Sequence, residues 1–471
     1  MKLIVSTFAV ALLGGCSMIP EYQTPESPVP QVVGSGNARS DQLTLPDWES
    51  LFQDPQLRSL IRTALTNNRD LRLVMLDVAE ARARYGIAES ALFPDISASA
   101  DGIRQRLPAN LSSTGDSTVS SQYSVGLGVA SYELDLFGRV GSLEEAALQS
   151  YLATEEARYS AQITLVSEVA NAYLNLLADQ QKLRINEETV TGQQEFAQLI
   201  SQRYDAGLSS ELEVHQAQIV LDTARVNRAQ FRRRVAEDRN ALRILVSGAI
   251  PTLPEGDLVD SAVVLLPEVP DGLHSSVLLQ RPDIRQAEYA LRAANANIGA
   301  ARAAFYPSIN LTGSAGTASA DLSGLFGSGS GTWSFMPSVN LPIFTAGRLQ
   351  ANLNVAEIRK EQSVIRYEQA IELAFQDVAD ALSAREFLSE QEQAQTDLVT
   401  ALQRTLELAE ARYENGADDY LAVLDARREL LAARQNLVDV TYGKLINRIT
   451  LYRALGGGSS DETRVALNRG T

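Results

Sequence analysis

The chain repeats itself, and the repeat limits what it can fold into. The stretch Arg412-Tyr413-Glu414-Asn415-Gly416 and onward to Asp425 has a relative 209 residues earlier, at Arg203-Tyr204-Asp205-Ala206-Gly207 and onward to Val214. Arg, Tyr, Gly, Leu and Val recur in register. The same offset pairs Ala217 with Ala426, Leu221 with Leu430, Arg225 with Arg434 and Asn227 with Asn436. In both copies one helical pattern runs into a glycine and another runs out of it. Glycine just past a periodic segment reads as a helix C-cap, because it alone enters the left-handed region without steric cost. Each copy is therefore expected to be the tip of a helical hairpin, near 207 and near 416.

A second matched block lies upstream. Leu65 to Arg72 resembles Leu278 to Arg285, Gly86 aligns with Gly299, and Phe93-Pro94 aligns with Tyr306-Pro307, now at an offset of 213. The expected division is repeat 1 over 51–250, a turn-rich linker over 251–274, repeat 2 over 275–456 and a loose tail over 457–471.

Between Gly141 and Arg203 there is no proline and one interior glycine, Gly192. A continuous helix of that length would rise about 95 Å. Ile163, Val166, Ala170, Tyr173 and Leu177 step by three and four along it, a coiled-coil seam, and Ile371, Phe375, Val378 and Leu382 do the same in the second copy. Elsewhere the period is two. Tyr123, Val125, Leu127 and Val129 alternate with Ser124, Gly126, Gly128 and Ala130, the mark of a strand between two media. A soluble sheet with one wet face gives the same pattern. Strands are expected over 95–106, 121–136, 308–319 and 332–345. The fold class is thus α+β: each repeat supplies a helix, two strands and a long helical hairpin.

Lys2, the apolar run Leu3 to Leu13 and Leu13-Gly14-Gly15-Cys16 form a signal-peptide pattern, too short to span a bilayer. The signal peptide is expected over 1–15. Cys16 is the single cysteine. Following two small residues, it resembles a bacterial lipobox, which implies cleavage before Cys16 and a covalent lipid on it. Ser17 in place of Asp favours transfer to the outer membrane, by analogy. Residues 16–50, rich in Pro, Ser and Gln, read as an extended tether. A formal charge of −17 argues against a nucleic-acid partner. His215 and His274 are the only histidines, and neither has a metal-ligand or triad partner nearby in sequence. No enzyme, cofactor or metal site is expected.

Four strands cannot close a barrel, and open edges cannot sit in lipid. Strands that enter a membrane therefore require further copies of the chain: two would give eight strands, three would give twelve.

Ser131-Tyr-Glu-Leu-Asp-Leu-Phe-Gly-Arg139 resembles the strand-to-helix signature of the outer membrane factors of tripartite efflux pumps. So do Gln280 to Glu288, Leu341-Pro-Ile-Phe-Thr-Ala-Gly-Arg348, Phe52-x-Asp-Pro-x-Leu57 and the doubled Arg-Tyr-x-x-Gly. The chain is similar to the lipid-anchored, OprM-like drug-efflux branch of the TolC superfamily, from about Pro46 to Leu455. The resemblance implies a homotrimer with a twelve-stranded outer-membrane barrel, a helical tube reaching across the periplasm, and a mixed equatorial belt. The belt would draw on the 180–200 region, the 247–275 linker and the C-terminal segment. It also implies partners: a periplasmic membrane-fusion adaptor and an inner-membrane RND-type transporter. A TolC-like exit for secreted proteins, a metal-ion duct of the same fold and a pore-free periplasmic scaffold are the competing readings.

The family's narrowest point matches Leu421 and Asp425. With Asp418 these fall at i, i+3 and i+7, so they are expected on one helix face near a tip. In a trimer each acid appears three times, and crowded carboxylates raise their apparent pKa. Merely solvated acids near a helix end are the plainer reading. Arg203, Tyr204 and Gly207, with Arg412, Tyr413 and Gly416, are the expected adaptor-docking tips, or else residues that only pack the hairpins. Tyr413 is also expected, by analogy, to tether neighbouring hairpins.

Overall fold

The computed structural model describes residues 17–34, 47–112, 115–248, 269 and 272–458. The signal peptide, Cys16, most of the 251–274 linker and residues 459–471 lie outside the described residues. The described chain divides into two compact units, and each draws on both repeats.

One unit comprises Met1–Glu26, Asp77–Glu155 and Gln286–Tyr367. Its centre is an antiparallel sheet of β2 (Ile96–Leu107), β3 (Thr118–Leu134), β5 (Ser308–Ser319) and β6 (Gly331–Asn340), in the order β2-β3-β5-β6. The register carries the period-two pattern across all four strands. One row runs Ala98, Leu127, Ala315, Trp333 and the next Ile96, Val129, Gly313, Phe335, so apolar side chains share a face. On the opposite face Gly126 pairs with Gly316. A Cβ on Gly316 would lie 2.2 Å from the Val125 carbonyl oxygen, so this strand pair approaches too closely for any side chain. Between Val129 and Tyr132 the register shifts at Ser131, whose φ is 58°. This bulge keeps Tyr132 and Leu134 opposite Leu311 and Ile309. β6 stops at Asn340, short of the expected 345, because Pro342 has no N–H to donate. Among the described residues β2 and β6 are each paired on one side only.

The other unit comprises Ser27–Leu76, Glu156–Arg285 and Glu368–Thr471. Its helices are α1 (Trp48–Leu51), α2 (Pro55–Asn67), the first turns of α3 (Arg69–Ser90), and most of α4 (Arg139–Asp205). They are followed by α5 (Glu211–Val246), the first residues of α6 (Pro282–Ala303), most of α7 (Arg348–Glu414), and α8 (Tyr420–Ala454). α4 and α7 are each 67 residues long, and α4 is unbroken through 180–200. Its seam residues Val166, Ala170, Tyr173 and Leu177 are buried against Leu57, Leu60 and Ile61 of α2, Leu242 of α5 and Ile449 of α8. Asp54 caps α2, with Pro55 in its first turn, and accepts a 2.6 Å hydrogen bond from the Tyr173 hydroxyl.

The repeats also close alike. Buried Asn68 donates to the Leu245 carbonyl near the end of α5. Arg281, the residue matched to it, donates to the Ala454 carbonyl at the end of α8 and binds Asp283 and Asp377. Each side chain satisfies an orphan C-terminal carbonyl of its own hairpin.

Two expectations are corrected. The segment read as an extended tether is docked along part of its length. The Pro20 carbonyl accepts from Asn295, Tyr22 lies under Arg292, and a Cβ on Gly299 would sit 2.7 Å from Ile19 Cγ1. Further along, β1 (Val32–Gly34) pairs with β4 (Gly272–His274), and α1 buries Leu51. The tail does not begin at Gly457 either. That residue is buried against Ile163 with φ 68°, and its carbonyl accepts from the Tyr452 hydroxyl.

Candidate functional site

Both hairpin tips lie in the second unit, and their backbones close in the same way. At the first, Gly207 has φ 75°; its N–H donates to the Tyr204 carbonyl and that of Leu208 to the Arg203 carbonyl, at 2.8 Å each. At the second, Gly416 has φ 68°; its N–H donates to Tyr413 and that of Ala417 to Arg412. These paired bonds make the Schellman closure. The outgoing helices start on side-chain caps: Ser210 accepts from the Glu213 N–H, and Asp419 from the Ala422 N–H.

The side chains are not alike. Ile200 and Ala217 of the first hairpin bury Tyr413, Tyr420 and Val423 of the second. Phe196 stacks on Tyr420 with ring centroids 4.8 Å apart, and Tyr413 tilts against both rings. Arg203 lies over the Tyr413 ring at 5.1 Å, and Arg427 over Phe196 at 4.6 Å. Arg427 also donates to Glu410 at 2.7 Å and to Gln193 at 3.4 Å. The hydroxyls of Tyr413 and Tyr420 are buried with no hydrogen-bond partner among the described residues. Burial pushes the Tyr420 phenol up to about 12 and raises that of Tyr413. The cluster thus holds both hairpins of one chain together.

Asp418 requires a correction. It precedes α8, whose cap is Asp419, so it does not share the helical face of Leu421 and Asp425. Arg412 instead grips it with two hydrogen bonds, of 2.5 and 2.9 Å, and holds its carboxyl below the usual carboxylate range. Leu421 is 54% exposed in the first turn of α8. Asp425, one turn on, reaches Arg428 at 3.0 Å. Tyr204 is exposed, and nothing lies within 4 Å of where a Cβ on Gly207 or Gly416 would be.

Phe196, Tyr420 and Arg427 escaped the sequence reading because none of them is repeated. At the 209-residue offset their counterparts are Thr405, Glu211 and Gln218. The available signal was the stripe Tyr420, Val423, Ala426, Leu430 and Ala433, all buried.

A family model for outer membrane efflux proteins matches the chain twice, over residues 60–248 and 273–457. The chain is 48% identical over 469 residues to the toluene efflux pump outer membrane protein TtgC of Pseudomonas putida, covering 98% of this chain and 96% of that one. It is 46% identical over 457 residues to the cation efflux system protein CusC of Escherichia coli, covering 96% and 98%. Among solved structures, the open-state MtrE outer membrane channel of Neisseria gonorrhoeae matches with a TM-score of 0.86 at 40% identity, covering 94% of this chain and 98% of that one.

Proposed function

Since the chain belongs to the outer membrane efflux protein family, we propose that it is the exit duct of a tripartite efflux pump, passing drugs and other small toxic compounds from periplasmic partners to the outside. Members of this family are outer-membrane channels and not enzymes. What carries the reading is the four-stranded sheet. Its apolar rows run from β2 to β6, interrupted only at Gly313, and among the described residues neither edge strand has an outer neighbour. Such a sheet enters lipid only when its edges are paired. Among the described residues no helix is long and apolar enough to cross a membrane. Three chains would close a barrel of twelve strands, wide enough to conduct. The lipid on Cys16 would fix each chain to the outer membrane.

The long hairpins would carry the duct into the periplasm, with the tips around Gly207 and Gly416 meeting the adaptor of an RND-type transporter. Leu421 and Asp425 would face the lumen as an iris, Leu421 closing it sterically and Asp425 favouring cations. Their exposure on α8, away from the buried tyrosine face, supports that assignment. Relatives that are toluene and cation efflux proteins share nearly the full length of this chain, which supports placing substrate choice in the transporter.

Single-channel conductance and particle mass in one detergent test the reading. A trimer-sized particle with small, flickering, cation-selective conductance is expected, and Asp425→Ala should increase the open time and weaken cation preference. A monomer or dimer that never conducts would overturn the duct. Unchanged selectivity and opening in Asp425→Ala would remove Asp425 from the gate.

A further inference from the structure

An acidic pair, Asp179 buried and Asp238 half-buried, lies where three helices of the second unit meet, away from both tips. On α4, Asn175, Asp179, Lys182 and Asn186 recur on one stripe, and Asp179, Lys182 and Asn186 are at least nine-tenths buried. Asn175 Nδ2 donates to Asp238 Oδ1 of α5 at 2.7 Å. The other oxygen, Asp238 Oδ2, is shut off from solvent, and no donor among the described residues reaches it. Asp179 lies one helical turn from Asn175 on the same face of α4, which brings its charge to bear on Asp238. Two carboxylates cannot bond to each other; a carboxylic acid and a carboxylate can, through one shared proton.

The surroundings come from α4, α5 and α8. Lys182 of α4 is ion-paired with Asp439 of α8. Arg234 of α5 lies near Asp179, and Glu237 of α5 near Asp238, although Glu237 is itself bound by Arg233. Tyr442 of α8 packs against the same core, and burial, followed by the charges of Asp238, Asp179 and Asp439, raises its phenol. Two cations, Lys182 and Arg234, therefore serve three acids, Asp179, Asp238 and Asp439, and the shared proton balances the group.

We propose that Asp179 and Asp238 form a proton-binding site that sets how firmly α4 is tied to α8. With the proton in place, Lys182 belongs to Asp439 and the helices are held. When it leaves, Asp179 loses the hydrogen bond that Asp238 gave its charge and competes with Asp439 for Lys182, and the tie slackens. Burial, followed by the charge of Asp179, pushes the Asp238 carboxyl up to about 6, and burial raises that of Asp179. A carboxyl whose folded pKa is raised contributes stability fully at low pH. That contribution is lost as the pH rises through the folded value. The tie is therefore tight below about pH 6 and looser above it.

Difference infrared spectroscopy between pH 8 and pH 5 on the purified full chain tests the site. A carboxylic-acid C=O band should grow with a midpoint near pH 6, and Asp238→Asn and Asp179→Asn should each remove it. Hydrogen exchange over 435–445, corrected for intrinsic rate, reads the tie. Protection should fall about tenfold between pH 5 and pH 8 in the native chain. It should stay high at both in Asp238→Asn, and low at both in Lys182→Met. A band that survives in both Asn variants would overturn the site. Protection independent of pH in the native chain would overturn the coupling to α8.

Discussion

The two hairpin tips share a backbone and differ in what they hold. Both reverse on a left-handed glycine with the same pair of hydrogen bonds. Yet Arg203 lies over a tyrosine of the other hairpin, while Arg412, its match in the repeat, grips Asp418 within its own turn. Tyr420 is buried where the first copy has Glu211, and Asp425 stands where the first copy has Gln216. The lesson is that the duplication preserved the means of turning the chain and released the side chains around the turn. The proposed iris would rest on that inequality: one hairpin would supply the constriction while the other supports it.

The largest expected break in the comparison comes from Tyr420→Ala. The ring is 2% exposed and stacks on Phe196, so its loss should cost about 3–5 kcal/mol of local stability. Glu211→Ala, at the matched position, should change stability by under about 0.5 kcal/mol. Hydrogen exchange over the first turns of α5 and α8 measures both, and equal effects would mean that the tips are not specialised.

Arg427→Met comes next. It removes two hydrogen bonds to Glu410 and the cation over Phe196, from a side chain that is mostly buried. A loss of about 1–3 kcal/mol is expected. Gln218→Met, its counterpart, loses only an exposed hydrogen bond to Asp222 and should be close to neutral. A smaller, symmetric effect should follow from Gly207→Ala and Gly416→Ala. Each forces a Cβ into the left-handed region with open space around it, at about 1 kcal/mol. Unequal losses measured by the same exchange experiment would show that the shared backbone is not energetically shared.

What could be read from the sequence follows the same division. The repeats, the strand pairs and the reversals near 207 and 416 were legible because each rests on a local period or on glycine at a turn. The register even preserves the alternation around Tyr123 to Val129 across four strands. The aromatic cluster was hidden because Phe196 and Tyr420 meet only in three dimensions and neither recurs in its partner copy. Asp418 and Asp419 are neighbours of equal capping strength, so spacing could not decide which one caps α8. Residues 17–26 have no periodicity to announce their docking; the signal is the missing side chain at Gly299, 273 or more residues away in the chain.

The smallest expected effect separates the two repeated arginines by pH. Asp418 lies below the ordinary carboxylate range because Arg412 hydrogen-bonds its charged form. A depressed folded pKa contributes stability above the unfolded value, about 3.9, which is lost as the pH falls through the folded value. Arg412→Ala should therefore leave the tip nearly unchanged at pH 7, where an exposed pair contributes little. It should return the Asp418 carboxyl to the ordinary range, as followed by NMR titration of its side-chain carbon. Arg203→Ala should not move Asp418 at all, since Arg203 spends its cation on the Tyr413 ring. If both substitutions shifted Asp418 equally, the tips would share one electrostatic field, and their division of labour would rest on the aromatic residues alone.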